Sequence, residues 1–184
     1  TFSAGAFYVA GSHGCSRQKG EFRLSAFHLA RLRVDEAGSP SGKIELTYRL
    51  SDMLHQAGDA APYFGKALND ENGMNLEGVA VTGPILWAGL RAPSIAGKAF
   101  LVGAPVDALF APGHAPATVA PTVIAIPADR DRGIRDLAAL PDGRLLVLVG
   151  PAAEQSLAYS LLLVDPIKPE ATKLLGDLPA RPGL

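Results

Sequence analysis

Cysteine is nearly absent from this chain: among 184 residues there is one, Cys15. A single thiol excludes an internal disulfide framework and a cysteine-rich metal site. Neither sign of charge is in excess. Lys and Arg number 17 against 18 Asp and Glu, for a net charge of −1, and the isoelectric point is ≈ 6.4. That balance gives no support to binding of nucleic acid or of an anionic membrane surface. Aromatic residues make up only 7%, which disfavours a large hot-spot surface for protein partners. No apolar run approaches the ~18 to 20 residues a membrane-spanning helix needs, and Leu145 to Val149 reads as a buried strand. The apolar stretch from Phe2 to Ala10 has no basic segment before it, so it does not read as a signal peptide. The chain starts at Thr1 without Met and reads as a processed or truncated product. These absences point to a soluble protein and do not decide between cytoplasm and periplasm.

What is abundant is the material of short strands and turns. The chain is 48% hydrophobic, with 20 Gly and 15 Pro, an ordinary globular balance for one sizeable core. Two stretches are copies of one another. Asn75-Leu76-Glu77-Gly78-Val79-Ala80-Val81, followed by Ile85 to Pro93, matches Gly133-Ile134-Arg135-Asp136-Leu137-Ala138-Ala139, followed by Arg144 to Pro151. Each copy is a strand, a turn and a second strand closing on Gly and Pro. Self-similarity of this kind is the mark of β-propeller blades. The expected strands lie near 76–81, 85–90, 98–103 and 122–127 in the first unit, and near 134–139, 144–149, 158–164 and 171–175 in the second. Pro141-Asp142-Gly143 is a hairpin turn in which Gly supplies the positive φ, and Thr82-Gly83-Pro84 is its weaker counterpart.

The front of the chain aligns as a third blade without its first strand. Ala6 to Ala10 takes the place of the second strand, Phe22 to Val34, alternating toward its end, the third, and Lys43 to Leu50 the fourth. Ser51 reads as the N-cap of a short helix from Asp52 to Ala57, closed by Gly58. The fold class expected is therefore all-β: four-stranded antiparallel blades of the propeller type, about three in number, the first incomplete. The whole of 1–184 reads as one domain, with residues 104–121 a Pro/Ala-rich insertion loop on the surface. Closed propellers have roughly 4 to 8 blades, and a stack of three leaves unpaired edges. Further sequence upstream or a second copy is expected to cover the open blade edge.

The pieces Tyr8 to His13, Phe27 to Arg31, Asn75 to Ala80, Gly89 to Pro93 and Gly133 to Ala138, in this order, resemble a bacterial family of uncharacterised domains, DUF3616. The resemblance runs from about Tyr8 to Asp165. It implies a propeller-like fold and no established activity. A looser similarity, in the Glu-Gly-Val-Ala first strand, is to phytase-like and lactonase-like propellers, and it says little about reaction.

Blade geometry turns the repeat into a place. The start of a first strand and the end of the second lie at one face near the axis. Asn75 and Glu77 are thus expected beside Arg91, with Arg135 and Asp136 at the equivalent point of the next blade. Ser12, His13 and Arg17 fall at the same level in the first. Arg91 and Arg135 suit a carboxylate or phosphate. Glu77, Asp136 and Asn75 are oxygen donors of the kind that hold Ca2+, although no cofactor is identified. His13 titrates near neutrality in its ordinary state and would serve as a base. Each has a plainer reading: Glu77 and Arg135 as an ion pair between blades, Arg91 on strand-end carbonyls, His13, Asn75 and Asp136 as turn or strand-end caps. Ser12 lacks the spacing of a nucleophile elbow, and Cys15 reads as a free loop thiol. Three functions stay open: a module binding a small anion or a partner at the central rim, a metal-dependent hydrolase, and a structural platform for protein assembly.

Overall fold

Among the described residues, the alternation of apolar residues and the placement of turns produce twelve strands in three sheets. The computed structural model describes residues 1–16 and 20–178. Sheet 1 contains β1 (Phe2–Ser3), β2 (Ala6–Ala10), β3 (Leu29–Arg33) and β4 (Glu45–Thr47). Sheet 2 contains β5 (Asn75–Thr82), β6 (Ile85–Ile95), β7 (Lys98–Pro105) and β8 (Thr122–Pro127). Sheet 3 contains β9 (Arg132–Ala139), β10 (Leu145–Pro151), β11 (Tyr159–Val164) and β12 (Lys173–Leu178). In every sheet the strands follow chain order, each antiparallel to the next. This is the meander of a propeller blade. The fold is all-β with three such sheets, and the expectation that the first lacks its first strand is corrected: β1, a two-residue strand, takes that place, pairing Phe2 with Phe7 and Ser3 with Ala6.

The hairpins follow from their turn residues. Gly83 has φ +53 between the paired Thr82 and Ile85, so a two-residue turn closes β5 on β6. Gly143 has φ +88 and turns β9 into β10, with Leu140 and Arg144 joined by a backbone hydrogen bond of 2.8 Å.

The sheets stack face on face. One core lies between sheets 1 and 2 and includes Tyr8, Leu29, Leu86, Leu90 and Phe100; the second lies between sheets 2 and 3 and includes Trp87, Leu101, Ile134, Val147 and Val149. Fully burying an aliphatic side chain of this size contributes about 1.5–3 kcal/mol. Strand alternation divides β6 between them: Leu86, Ala88 and Leu90 face sheet 1, whereas Trp87 belongs to the core shared with sheet 3. The repeat-equivalent residues of β10 are Leu145, Val147 and Val149, and these face sheet 2. The same face of each blade thus looks back along the chain.

Close approach is secured by missing side chains. Gly103 pairs with Trp87, and a Cβ on it would lie 2.6 Å from the indole ring. A Cβ on Gly133 would lie 1.7 Å from the Arg91 carbonyl oxygen.

Two local expectations are corrected. The third strand of sheet 1 does not run from Phe22. Leu24–Phe27 forms a 3-10 turn that drives Phe27 into an aromatic cluster with Phe22, Phe64 and His13. Ser51 is not an N-cap. The helix α1 begins earlier, at Arg49, and ends at Leu54. The Arg49 N–H donates to Thr47 Oγ1 at 3.1 Å, while Ser51 lies inside the helix with its buried hydroxyl unpartnered.

Two shorter helices, α2 (Leu68–Glu71) and α3 (Val106–Leu109), lie in the connections. The Pro/Ala-rich segment 104–121 lies at the surface beyond α3, but it is anchored. Val106 and Leu109 enter the first core. The Arg49 guanidinium then gathers the next carbonyls: Nε donates to Ala115 O at 2.8 Å, Nη2 to Gly113 O at 2.9 Å, and Nη1 to Ala111 O. Asp52 Oδ2 accepts from the Ala117 N–H at 2.9 Å.

Gly133→Ala tests the fit of sheet 3 on sheet 2. The backbone of Arg91 has nowhere to move without opening the interface, so the variant is expected to lose about 3 kcal/mol or more of stability, read as the urea midpoint.

Candidate functional site

The residues singled out at the rim separate into three groups. The first is a joint between sheets. Glu77 sits at an irregularity in the β5–β6 ladder, between Leu76, paired with Leu90, and Gly78, paired with Gly89. Its Oε1 accepts from Arg91 Nη1 at 2.8 Å. Its Oε2 lies 2.6 Å from Arg135 Nε of the neighbouring sheet, an ion-pair approach in which the N–H does not point at the oxygen. Arg91 is 2% exposed and commits its other donors to backbone: Nε to Ala152 O and Nη2 to Ala153 O, both at 2.9 Å. Arg135 Nη1 donates to Pro151 O at 2.7 Å, and its guanidinium carbon lies 5.8 Å from the Tyr159 ring centre. Of the two arginines Arg135 is the one that meets solvent, its side chain 20% exposed against 3% for Arg91. Among the described residues, these two cations thus meet one carboxylate.

The second group joins sheet 1 to sheet 2. The Leu76 N–H donates to Ser12 O at 2.6 Å. Gly14 packs on the preceding residue, Asn75, close enough that a Cβ would lie 2.8 Å from its Nδ2. Asn75 is buried. His13 has φ +47 and is fully enclosed. Its backbone N–H donates to Ala26 O at 2.9 Å, and its Nδ1 lies 3.0 Å from Gly11 O. A carbonyl only accepts, so the proton sits on Nδ1, and Nε2 is a buried lone pair without a donor. Burial holds the pKa down at about 4, against the raising effect of the Gly11 carbonyl. The imidazole is therefore neutral at pH 7 and shut away from solvent, which does not suit a base that must meet a substrate. Arg17 lies outside the described residues.

Asp136 forms the third group alone. It pairs with Leu148 across the β9–β10 ladder and is exposed. Its Oδ1 accepts from the adjoining Leu137 N–H at 2.8 Å. Leu148 belongs to the face of sheet 3 turned away from sheet 2, and Asp136 shares it. Cys15 donates weakly to Gly65 O at 3.3 Å, and burial, with the Glu71 charge second, pushes the thiol pKa up. That favours the unreactive thiol.

Arg49 and Arg31 carry contacts that sequence reasoning did not single out. Arg31 makes a bidentate pair with Glu45, both bonds 2.7 Å, and stacks 4.2 Å from the Phe110 ring centre. The hydrogen bond from Arg31 holds the Glu45 carboxyl below its ordinary range. Period-2 alternation gave one signal: Arg31 falls on the inward face, where a charge needs a partner. For Arg49 there was none, since its acceptors are main-chain carbonyls more than 60 residues away.

The fold consists of three four-stranded antiparallel sheets of the propeller-blade type, and arginines tie the second to the third. Residues 42–109 match the family model described as a protein of unknown function, DUF3616. The match runs from the start of β4 through α3 and includes the Asn75 to Ala80 and Gly89 to Pro93 pieces. No curated protein matches the chain, and no solved structure does. Among the described residues no helix is long and apolar enough to cross a membrane.

Two predictions follow the geometry. Glu77→Gln removes the counter-charge of a buried arginine, so a loss of about 3 kcal/mol in urea unfolding is expected. For His13 the folded pKa of about 4 lies below the unfolded value of 6.5. Between those values the unfolded chain binds a proton that the folded one refuses, so stability falls as pH drops below 6.5 and its dependence on this group ends near 4. The contribution amounts to roughly 3 kcal/mol over the full window. His13→Asn, which tolerates the positive φ, is expected to flatten the stability difference between pH 7 and pH 5 relative to wild type.

Proposed function

We propose that the chain is a binding module that takes a small anion, a carboxylate or a phosphate, at the central rim, with Arg135 as the contact. The observation that carries this reading is the partial exposure of Arg135 at the joint, where among the described residues it shares the Glu77 carboxylate with the buried Arg91. Arg91 is spent on Glu77 and two carbonyls. Arg135 is the partly exposed cation, and an arriving oxyanion would meet its remaining N–H donors beside the Tyr159 ring.

The hydrolase alternative rests on Glu77, Asp136 and Asn75 ligating a cation. Both Glu77 oxygens lie against guanidinium groups, which would repel a divalent ion, and Asp136 lies on the far face of its sheet. The anion reading requires neither residue to move.

The test is thermal unfolding with inorganic phosphate, citrate and a sugar acid, each against potassium chloride at matched ionic strength. A saturable rise in Tm is expected for wild type and none for Arg135→Gln. Equal rises in both proteins, or no rise in wild type, would overturn the reading. A rise with calcium chloride in place of the anions would favour the hydrolase alternative.

A further inference from the structure

Among the described residues, the two end sheets each leave one face without a partner, and the two faces are unlike in a way the repeat explains. On sheet 1 the inward residues Ala6, Tyr8 and Leu29 are buried, while cross-strand pairing puts Phe7 with Leu32, Val9 with Ala30, and Ala30 with Leu46 on the other side. That outer face holds no charge, and Phe7, Val9 and Leu46 are 45%, 64% and 60% exposed. On sheet 3 the middle of the outer face holds two rows of leucine, Leu146 with Leu163 and Leu148 with Leu161, flanked by Asp136 beside Leu148 and Lys173 beside Leu163. All four leucines are only half-buried. Exposed apolar area of this continuity marks an interaction surface.

The alignment of the repeats says what each face is made to meet. Leu146 and Leu148 are the equivalents of Trp87 and Gly89 in sheet 2, and those two face sheet 3 in the second core. The outer face of sheet 3 is therefore of the kind that receives a following blade. On sheet 1 the outer face looks back along the chain, as Leu86, Ala88 and Leu90 do in sheet 2 and Leu145, Val147 and Val149 in sheet 3. It is of the kind that packs on a preceding blade. One chain thus carries both halves of a blade-to-blade interface, unmatched, at its two ends.

We infer that two copies of this chain associate head to tail, the outer face of sheet 3 in each packing on the outer face of sheet 1 in the other. Such a pairing is heterologous, and two of them related by a twofold axis close a ring. Two copies of three sheets make six blades, inside the range of about 4 to 8 found in closed propellers. The interface continues the packing that already joins sheets 1, 2 and 3, and it covers Phe7, Val9 and Leu46 with leucine.

The experiment is sedimentation of the 184-residue chain together with Val9→Asp and Leu148→Asp, two exposed or half-exposed positions whose change leaves both internal cores intact. Circular dichroism checks that each variant is folded. Wild type is expected as a dimer and each variant alone as a monomer, because every interface in a variant ring has one damaged half. Mixing the two variants restores one sound interface, between Leu148 of the Val9→Asp chain and Val9 of the Leu148→Asp chain, and a mixed dimer is expected. A monomeric wild type would overturn the inference and leave the faces to further blades of a longer chain or to another protein. A dimer abolished by only one of the two substitutions would overturn it in favour of a face pairing with itself. Polymers that lengthen with concentration would overturn the closed ring.

Discussion

The Glu77 carboxylate is the joint on which the approach of sheets 2 and 3 depends. It meets one guanidinium from its own sheet and one from the next. Arg91 is almost wholly out of solvent, and a buried guanidinium without a counter-charge would draw water between the blades. With the carboxylate in place, the same arginine reaches past the end of β10 to the carbonyls of Ala152 and Ala153. The ends of both sheets are therefore tied together at this point. The close contact of Gly133 on the Arg91 carbonyl lies at the same place, so charge and sterics fix one geometry.

That arrangement also decides what is left for chemistry. Arg91 and His13 look reactive in a list of residue types, yet one is consumed by structure and the other is neutral and enclosed. Arg135 keeps an exposed flank. The proposed anion contact is thus built on a structural joint between two sheets.

Most of the strand architecture was legible because its causes are local. Alternation at Leu145 to Val149 and turn glycines at 83 and 143 specify strands and hairpins whatever the rest of the chain does. The Glu77–Arg135 pairing was legible as one of two readings, because the repeat set opposite charges at equivalent positions. What escaped was non-local. The 3-10 turn at Leu24–Phe27 exists because Phe27 finds Phe64 and His13, none of which alternation can see. Ser51 looked like a cap because its residue type is right, but Thr47 lies where the first free N–H of α1 points. Arg49 was invisible because main-chain carbonyls accept its protons, and every residue has one. The opposite roles of the two outer sheet faces required knowing which side of β6 met which neighbour.

The repeats are alike enough to reveal the fold and different enough to have lost interchangeability. Where sheet 2 has Asn75, sheet 3 has Gly133, because the Arg91 carbonyl occupies the space a side chain would need. Where sheet 2 carries Glu77, sheet 3 carries Arg135. Each blade thus bears a label readable only by its own neighbour. A chain with these blades in another order would contain the same residues and the same hairpins, and would have no consistent way to stack them.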